Sequence, residues 1–370
     1  MSIPVISFFT GGGFLDIGFV QAGFNVVWTN ENNEVFADMY EYGMSTLAKA
    51  QKNFKFKTEV SDRRNIEDIT SQKIIKSIFP GGRSALFGII GGPPCPDFSN
   101  GGKHKGGKGD HGRLSKTYID RICEIKPHFF VFENVPGLIR TKKHRKFLFK
   151  LEKQLENAGY NIDISKLNTL NLGLAQDRER VILIGIKKSI VKNVLGYDLT
   201  ETKREWFIWP RINKYHNAKS RFVWPTITPR EKSPELPEKI PSELMVSHML
   251  NSSTPPDKLP NGNEGFKPYS KKFQTVHEGD TSRKSFKRLH RYRYSPTACY
   301  GHNEVHLHPW EDRRLTVRET MRIQGIPDEY ILPEDKPLTA KFKMISNGVP
   351  VPLAYHVAIK IRKFLKAYNE

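Results

Sequence analysis

The chain has 370 residues, enough for two domains or one large one at roughly 150 residues per domain, and 59 Lys and Arg against 39 Asp and Glu give a net charge of +20. Hydrophobic residues make up 38%, enough for a sizeable core; no stretch approaches the ~20 apolar residues of a membrane span, and the start MSIPVISFFTGGGF lacks a signal peptide's basic flank. Three scattered cysteines, Cys95, Cys123 and Cys299, exclude a disulfide framework and a CxxC zinc site, so the expectation is a cytoplasmic protein whose charge meets a polyanion.

Val5–Phe9 reads as a buried strand, Leu15–Ala22 as a helix and Asn25–Asn30 as a second strand. The connecting FFTGGGFLDIGF (Phe8–Phe19) puts Gly11, Gly12 and Gly13 where backbone can approach a ligand and aim helix amides at it. Glu31 follows the second strand, where an acid commonly takes ribose hydroxyls. Asp16 stands where the third glycine of G-x-G-x-x-G belongs, so the dinucleotide fingerprint is not met, and such a turn also occurs without a ligand.

Ala85–Ile90 is the next strand candidate, and Gly91-Gly92-Pro93-Pro94 leads from it to Cys95. Open α/β sheets bind ligands at the carboxyl ends of strands, so a nucleophile fits there, although a lone cysteine is often a small buried hydrophobe. The Gly/Lys-rich stretch after it, with Lys103 and Lys105, reads as a mobile cationic loop able to fold over a phosphate backbone. His128–Glu133 is a further strand, and a carboxyl group leaving so apolar a run is expected to have a raised pKa. Lys146–Ala158 has helical spacing and stops at Gly159; Arg178 and Arg180 share a face just before a strand at Val181–Ile186.

Strands alternating with helices argue for a parallel sheet with crossover helices. Thr202–Pro268 then holds ten prolines together with Trp206, Trp209 and Trp224, which reads as a loop-rich second module. RKSFKRLHRYRY (Arg283–Tyr294) interleaves basic and aromatic residues as phosphate and base-edge contacts require, with Arg291 and Arg293 as candidates. His302, His306 and His308 lack a second cluster that would make a metal site, so loop ordering is the reading and no metal is expected. Helical patterns return at Thr316–Gln324 and Ala354–Tyr368.

The ordered set FxGxG, PPC, ENV and QxRxR, with RRLTVRETMRIQGIPDEY (Arg313–Tyr330) and SNGVPVPLAYHVA (Ser346–Ala358), resembles the cytosine-5 DNA methyltransferase family of bacterial modification-methylase type. The likeness covers about Val5–Ile186 and Ser295–Lys366, and Lys187–Arg293 falls where that family has its variable target-recognition region. It implies an α/β, Rossmann-like methyltransferase domain with a mostly parallel sheet, residues 1–190 completed by 340–370, and a smaller loop-rich target-recognition domain at 191–339.

The resemblance further implies that Phe9, Gly11 and Gly13 line a pocket for S-adenosylmethionine, with Glu31 on its ribose, Asp62 near its adenine, and Asn347 and Val349 closing the pocket. Cys95 would be the nucleophile, Glu133 the partner of cytosine N3 and Arg180 a ligand of the base carbonyl; Arg178 and Ser99 would help hold phosphates and the closing loop. The family commonly has Gly where this chain has Phe14 and Gln where it has Pro96; its D-x-R-G-x-L block is met loosely by Asp110–Leu114, and its Gly-Asn pair appears as Ser346-Asn347. The implied product is 5-methylcytosine in a short duplex DNA site, made by a monomer that protects DNA from a cognate endonuclease encoded nearby. The alternatives are the same chemistry on tRNA, whose branch has a Cys-Phe-Thr insert not found in this chain, a catalytically silent DNA-binding module, and a nicotinamide dehydrogenase.

Overall fold

The computed structural model describes residues 2–51, 56–82, 86–94, 110–199, 205–251, 254–297, 300 and 305–369. Six strands form the central sheet: β1 (Ile3–Phe8), β2 (Phe24–Asn30), β3 (Gly88–Gly91), β4 (Phe129–Asn134), β5 (Tyr160–Asn168) and β6 (Glu179–Lys187). Their order is β2-β1-β3-β4-β6-β5. The first four are mutually parallel; β6 runs antiparallel to β4 and β5 antiparallel to β6.

Both faces of the sheet are covered, which is why β1, β3 and the start of β4 read as mainly apolar runs. Along β4, Phe129 and Val131 enter one core with Phe19, Phe24, Leu353 and Val357, while Phe130 and Phe132 enter the opposite core with Ile122, Leu148 and Leu151. The first core is roofed by the helices Phe14–Gln21 and Val351–Asn369, the second by Asp110–Ile125 and Lys142–Asn157. The helix read at Lys146–Ala158 is present, and Gly159 turns out of it at φ +93°.

Strand β5 has no counterpart among the predicted strands. Its polar Asp163 hides the pattern: that carboxylate accepts the backbone N–H groups of Trp206 (3.0 Å) and Phe207 (2.9 Å) and the indole N–H of Trp209 (3.1 Å). Trp206 and Phe207 therefore pack in the first core, and Trp209 against it, rather than in a separate module.

A third core joins Phe14, Tyr40 and Met44 to the helices Val317–Ile323 and Leu338–Asn347. Thr316 and Glu319 form a reciprocal capping box that fixes where the first of these begins. The division expected at 190/191 and 339/340 thus cuts through two apolar clusters. The stretch between these bounds also forms two smaller clusters, one of them shared with Leu170 beside β5, and two short parallel strands, β7 (Lys287–Arg288) and β8 (His306–Leu307). Arg288, from the basic run read as DNA-facing, is buried there instead, donating to the carbonyls of Val276, Phe273, His308 and Glu311.

Candidate active site

The carboxyl ends of β1 and β3 finish level, with Phe8 opposite Gly91, while β4, whose Phe132 stands opposite Gly91, runs two residues further to Asn134. Beyond β1 the chain turns sharply: Phe9, Gly11 and Gly13 take φ values of +54°, +56° and +73°, and only glycine adopts this region without steric cost. A Cβ at Gly11 would meet nothing within 4 Å, so the turn faces open space. Glu31 comes to this turn from β2, and its carboxylate accepts the N–H groups of Gly11 and Asn33, both at 2.9 Å. Burial pushes its pKa up. Asn30 donates to the backbone carbonyls of Asp62 (2.8 Å) and Arg64 (2.9 Å), which brings Asp62 beside the same strand end. The Asp62 carboxylate is held by Arg64, which lowers its pKa.

The opposite wall comes from the far end of the chain. Asn347 ends the helix Leu338–Asn347, and Val349 is buried after it. Phe14, standing where the family commonly has glycine, fills the gap: a Cβ at Gly348 would lie 2.1 Å from its ring and one at Gly12 2.7 Å. Tyr330 meets the Phe14 ring edge-on and donates from its hydroxyl to the Gly12 carbonyl at 2.9 Å. Sequence reasoning missed Tyr330, since that contact links positions 318 residues apart.

Glu133 is next to last in β4 and Arg180 second in β6, and the antiparallel pairing brings them together: Arg180 Nε lies 2.8 Å from Glu133 Oε1, with side chains 10% and 9% exposed. Burial raises the Glu133 pKa, as expected from the apolar strand, against the downward pull of Arg180 and Arg178. A Cβ at Gly92 would sit 2.7 Å from Glu133 Oε2, so the chain leaving β3 passes directly over this carboxylate. The described chain continues to Pro94, one residue short of Cys95. Cys95, Ser99, Lys103 and Lys105 lie outside the described residues.

Arg178 is placed differently from the expected phosphate contact. It is fully buried, and its Nη2 donates to the carbonyls of Ser346 (2.7 Å) and Gly348 (2.9 Å), on either side of Asn347. The QxRxR segment thereby ties the Glu133 end of the sheet to the Asn347–Val349 wall. Gln176 continues the tie by donating to Ile323 O at 2.9 Å. Asp16, noted in the sequence only as a broken fingerprint, is buried beneath the turn, hydrogen-bonded by Ser7 (2.6 Å) and Tyr40 (3.2 Å), and burial pushes its pKa up to about 7.

Arg291 and Arg293 precede Ser295, which pairs with Gln176 just before Arg178. Arg291 is held bidentately by Glu278 and lies over the Trp310 ring; Arg293 lies over Tyr294 and donates to Pro225 O. His306 and His308 are buried, and burial lowers both pKa values to about 3; His302 lies outside the described residues. Among the described residues no group of three or more His, Cys, Asp and Glu is placed to hold a metal, and no helix is long and apolar enough to cross a membrane.

A family model described as C-5 cytosine-specific DNA methylase matches residues 3–363. The Type II methyltransferase M.NmeDI of Neisseria meningitidis serogroup C is 39% identical over 372 residues, spanning 99% of this chain and 85% of that protein. M.NgoPII of Neisseria gonorrhoeae, another Type II methyltransferase, is 30% identical over 98% of this chain and 96% of its own length. In fold, the chain is similar to a solved DNA modification methyltransferase encoded within an E. coli prophage (TM-score 0.66, 21% identity, 99% of this chain and 100% of that one). It is also similar to the Dnmt2 methyltransferase of S. pombe (TM-score 0.59, 13% identity, all of both chains). With the family model matching residues 3–363 and a relative 39% identical over 99% of this chain, the protein belongs to the C-5 cytosine-specific DNA methylase family.

Proposed function

We propose that the protein methylates carbon 5 of a cytosine rotated out of duplex DNA, at a short specific site, with S-adenosylmethionine as donor and S-adenosylhomocysteine as product. The observation that carries this reading is the Glu133–Arg180 pair, buried at the strand end over which the chain passes on its way to Cys95. The donor would be held by the turn Phe9–Gly13, Glu31, Asp62, Asn347 and Val349, where the open space at Gly11 and the acidic residues beside it suit a ribose and an adenine.

Carbon 5 of cytosine is a poor nucleophile, and the assigned groups remedy that in turn. The Cys95 thiolate adds to carbon 6, breaking the ring's aromaticity and making carbon 5 enamine-like. Glu133, whose pKa burial raises, hydrogen-bonds N3 as the acid and stabilises the negative charge that addition pushes into the ring. Arg180, already oriented by Glu133, holds the base carbonyl oxygen. S-adenosylmethionine, when bound, supplies a sulfonium methyl for carbon 5. Loss of the carbon-5 proton then restores the double bond and expels the Cys95 thiolate. A duplex hides the ring face, so the base must leave the stack, which the Gly/Lys segment after Cys95 and the smaller unit would hold open.

The setting is a restriction–modification system, in which this enzyme acts as a cytoplasmic monomer without direct contact with a cognate endonuclease. Bisulfite sequencing of DNA from cells expressing the protein should show protected cytosines at one short sequence. A genome without protected cytosines, or methyl transfer to tRNA but not duplex DNA, would overturn the reading.

A further inference from the structure

Most hydrogen bonds that shape the turn Phe9–Gly13 are made close by. Thr10 N–H donates to Asn30 O at 3.0 Å, Gly11 N–H to Glu31 at 2.9 Å, and Gly13 N–H back to Thr10 O at 2.8 Å. The Gly12 carbonyl instead accepts the Tyr330 hydroxyl, at 2.9 Å, from the far end of the chain. The peptide between Gly12 and Gly13 is flanked by two residues without a Cβ, so little steric cost opposes its rotation. Rotation would turn the Gly12 oxygen away from Tyr330 and break the bond from Gly13 to Thr10.

The surroundings of Tyr330 leave its ring no freedom. It is fully buried, meets Phe14 edge-on and fills the slot left by Gly43, where a Cβ would lie 2.1 Å from the ring. Its own carbonyl accepts Arg318 Nη2 at 3.1 Å. The next two residues are tied as well, Ile331 N–H to Thr46 Oγ1 at 3.1 Å and Leu332 N–H to Asn261 Oδ1 at 2.8 Å. Phenylalanine would fill the same space without burying a hydroxyl, which is unfavourable unless hydrogen-bonded. The hydroxyl is therefore the atom that needs explaining. Burial raises its pKa, so it stays a donor, and its one proton faces Gly12 O at 2.9 Å in preference to Met39 O at 3.3 Å.

We propose that Tyr330 is a positioning residue for the methyl donor, holding the glycine turn, through the Gly12 carbonyl, in the shape that receives S-adenosylmethionine. The proposal rests on the assignment of that turn to the donor.

Tyr330→Phe removes the hydroxyl and keeps the ring. Wild type, Tyr330→Phe and Glu31→Gln are compared by calorimetric titration with S-adenosylhomocysteine, by methyl transfer to duplex DNA with the donor varied, and by duplex DNA affinity. The thermal midpoint of each ligand-free protein reports folding. Loss of one hydrogen bond corresponds to about three- to tenfold in affinity. Tyr330→Phe should weaken S-adenosylhomocysteine by that factor and raise the donor KM equally, while kcat at saturating donor and DNA affinity are retained. A ring that merely fills the core would give a lower thermal midpoint with donor affinity unchanged, and that result overturns the proposal. Equal weakening toward DNA overturns it too. If Glu31→Gln weakens S-adenosylhomocysteine and Tyr330→Phe does not, the role of Tyr330 alone falls; if neither does, the assignment of the turn falls with it. Should Tyr330→Phe fail to fold, Gly43→Ala, which presses on the ring from the helix Glu34–Ala50, should give the same donor-specific loss. Wild-type donor affinity in that variant overturns the proposal.

Discussion

Glu133 Oε1 and Arg180 Nε lie 2.8 Å apart where β4 ends and β6 begins, so one antiparallel pairing places a buried carboxylate and a guanidinium side by side. Burial raises the Glu133 pKa, whereas the two arginines keep the rise in check. Glu133→Gln preserves shape and a donor but removes the transferable proton. The expected result is a fall in kcat on duplex DNA of about 10²-fold with affinity for S-adenosylhomocysteine unchanged. The wild-type rate should decline on the alkaline side as Glu133 ionises, and the variant should lose that limb. An unchanged kcat would remove Glu133 from the chemistry.

Arg178 clamps the carbonyls of Ser346 and Gly348, so its charge organises from behind the Asn347–Val349 segment proposed to hold the cofactor. Arg178→Lys keeps the charge but not the fork. Unfolding in urea should show a loss of about 1–3 kcal/mol, and S-adenosylhomocysteine affinity should fall more than DNA affinity. Equal weakening of both ligands would show that the clamp has no directional role.

Phe14 and Gly348 form a complementary pair, the ring occupying the space a Cβ at 348 would need. Phe14→Ala should cost about 3–5 kcal/mol by leaving a cavity. Gly348→Ala alone should be destabilising through the 2.1 Å clash, yet milder in the Phe14→Ala background. Additive effects in this double-mutant cycle would contradict the packing described.

Asp16 has no charged partner among its hydrogen bonds, and burial raises its pKa from 3.8 to about 7. A carboxyl group with a raised folded-state pKa contributes stability below its unfolded value and loses it as the pH rises through the folded one. Between pH 3.8 and about 7, wild type should therefore lose stability relative to Asp16→Asn. The difference should be about 1.4 kcal/mol for each pH unit crossed. Parallel stability–pH curves for the two proteins would show Asp16 to be ionised throughout.

The sheet was legible where burial is two-sided, since β3 and the first four residues of β4 are apolar and β1 is interrupted only by Ser7. It was illegible at β5, where Asp163 looks like loop chemistry until Trp206, Phe207 and Trp209 are seen to donate to it. The same three donors carry a proline-rich stretch back onto the main core, which composition alone assigned to another module. At the site, Glu133, Arg180 and the glycine turn announce themselves as polar or flexible residues at the ends of apolar strands. The partners of Arg178 lie 168 and 170 residues away, and no local pattern marks them. Arg288 and Arg291 look alike in the basic run, yet one is fully buried and the other is held by Glu278.

Covalent trapping tests the central claim most directly. Fluorine at carbon 5 cannot leave as the proton does, so a thiolate that has added to carbon 6 remains attached after methyl transfer. Duplex DNA substituted with 5-fluorocytosine, incubated with the protein and S-adenosylmethionine, should yield a denaturation-resistant adduct whose peptide map ends at Cys95, and Cys95→Ser should yield none. An adduct formed by Cys95→Ser, or wild type that methylates ordinary DNA yet is never trapped, would contradict the account.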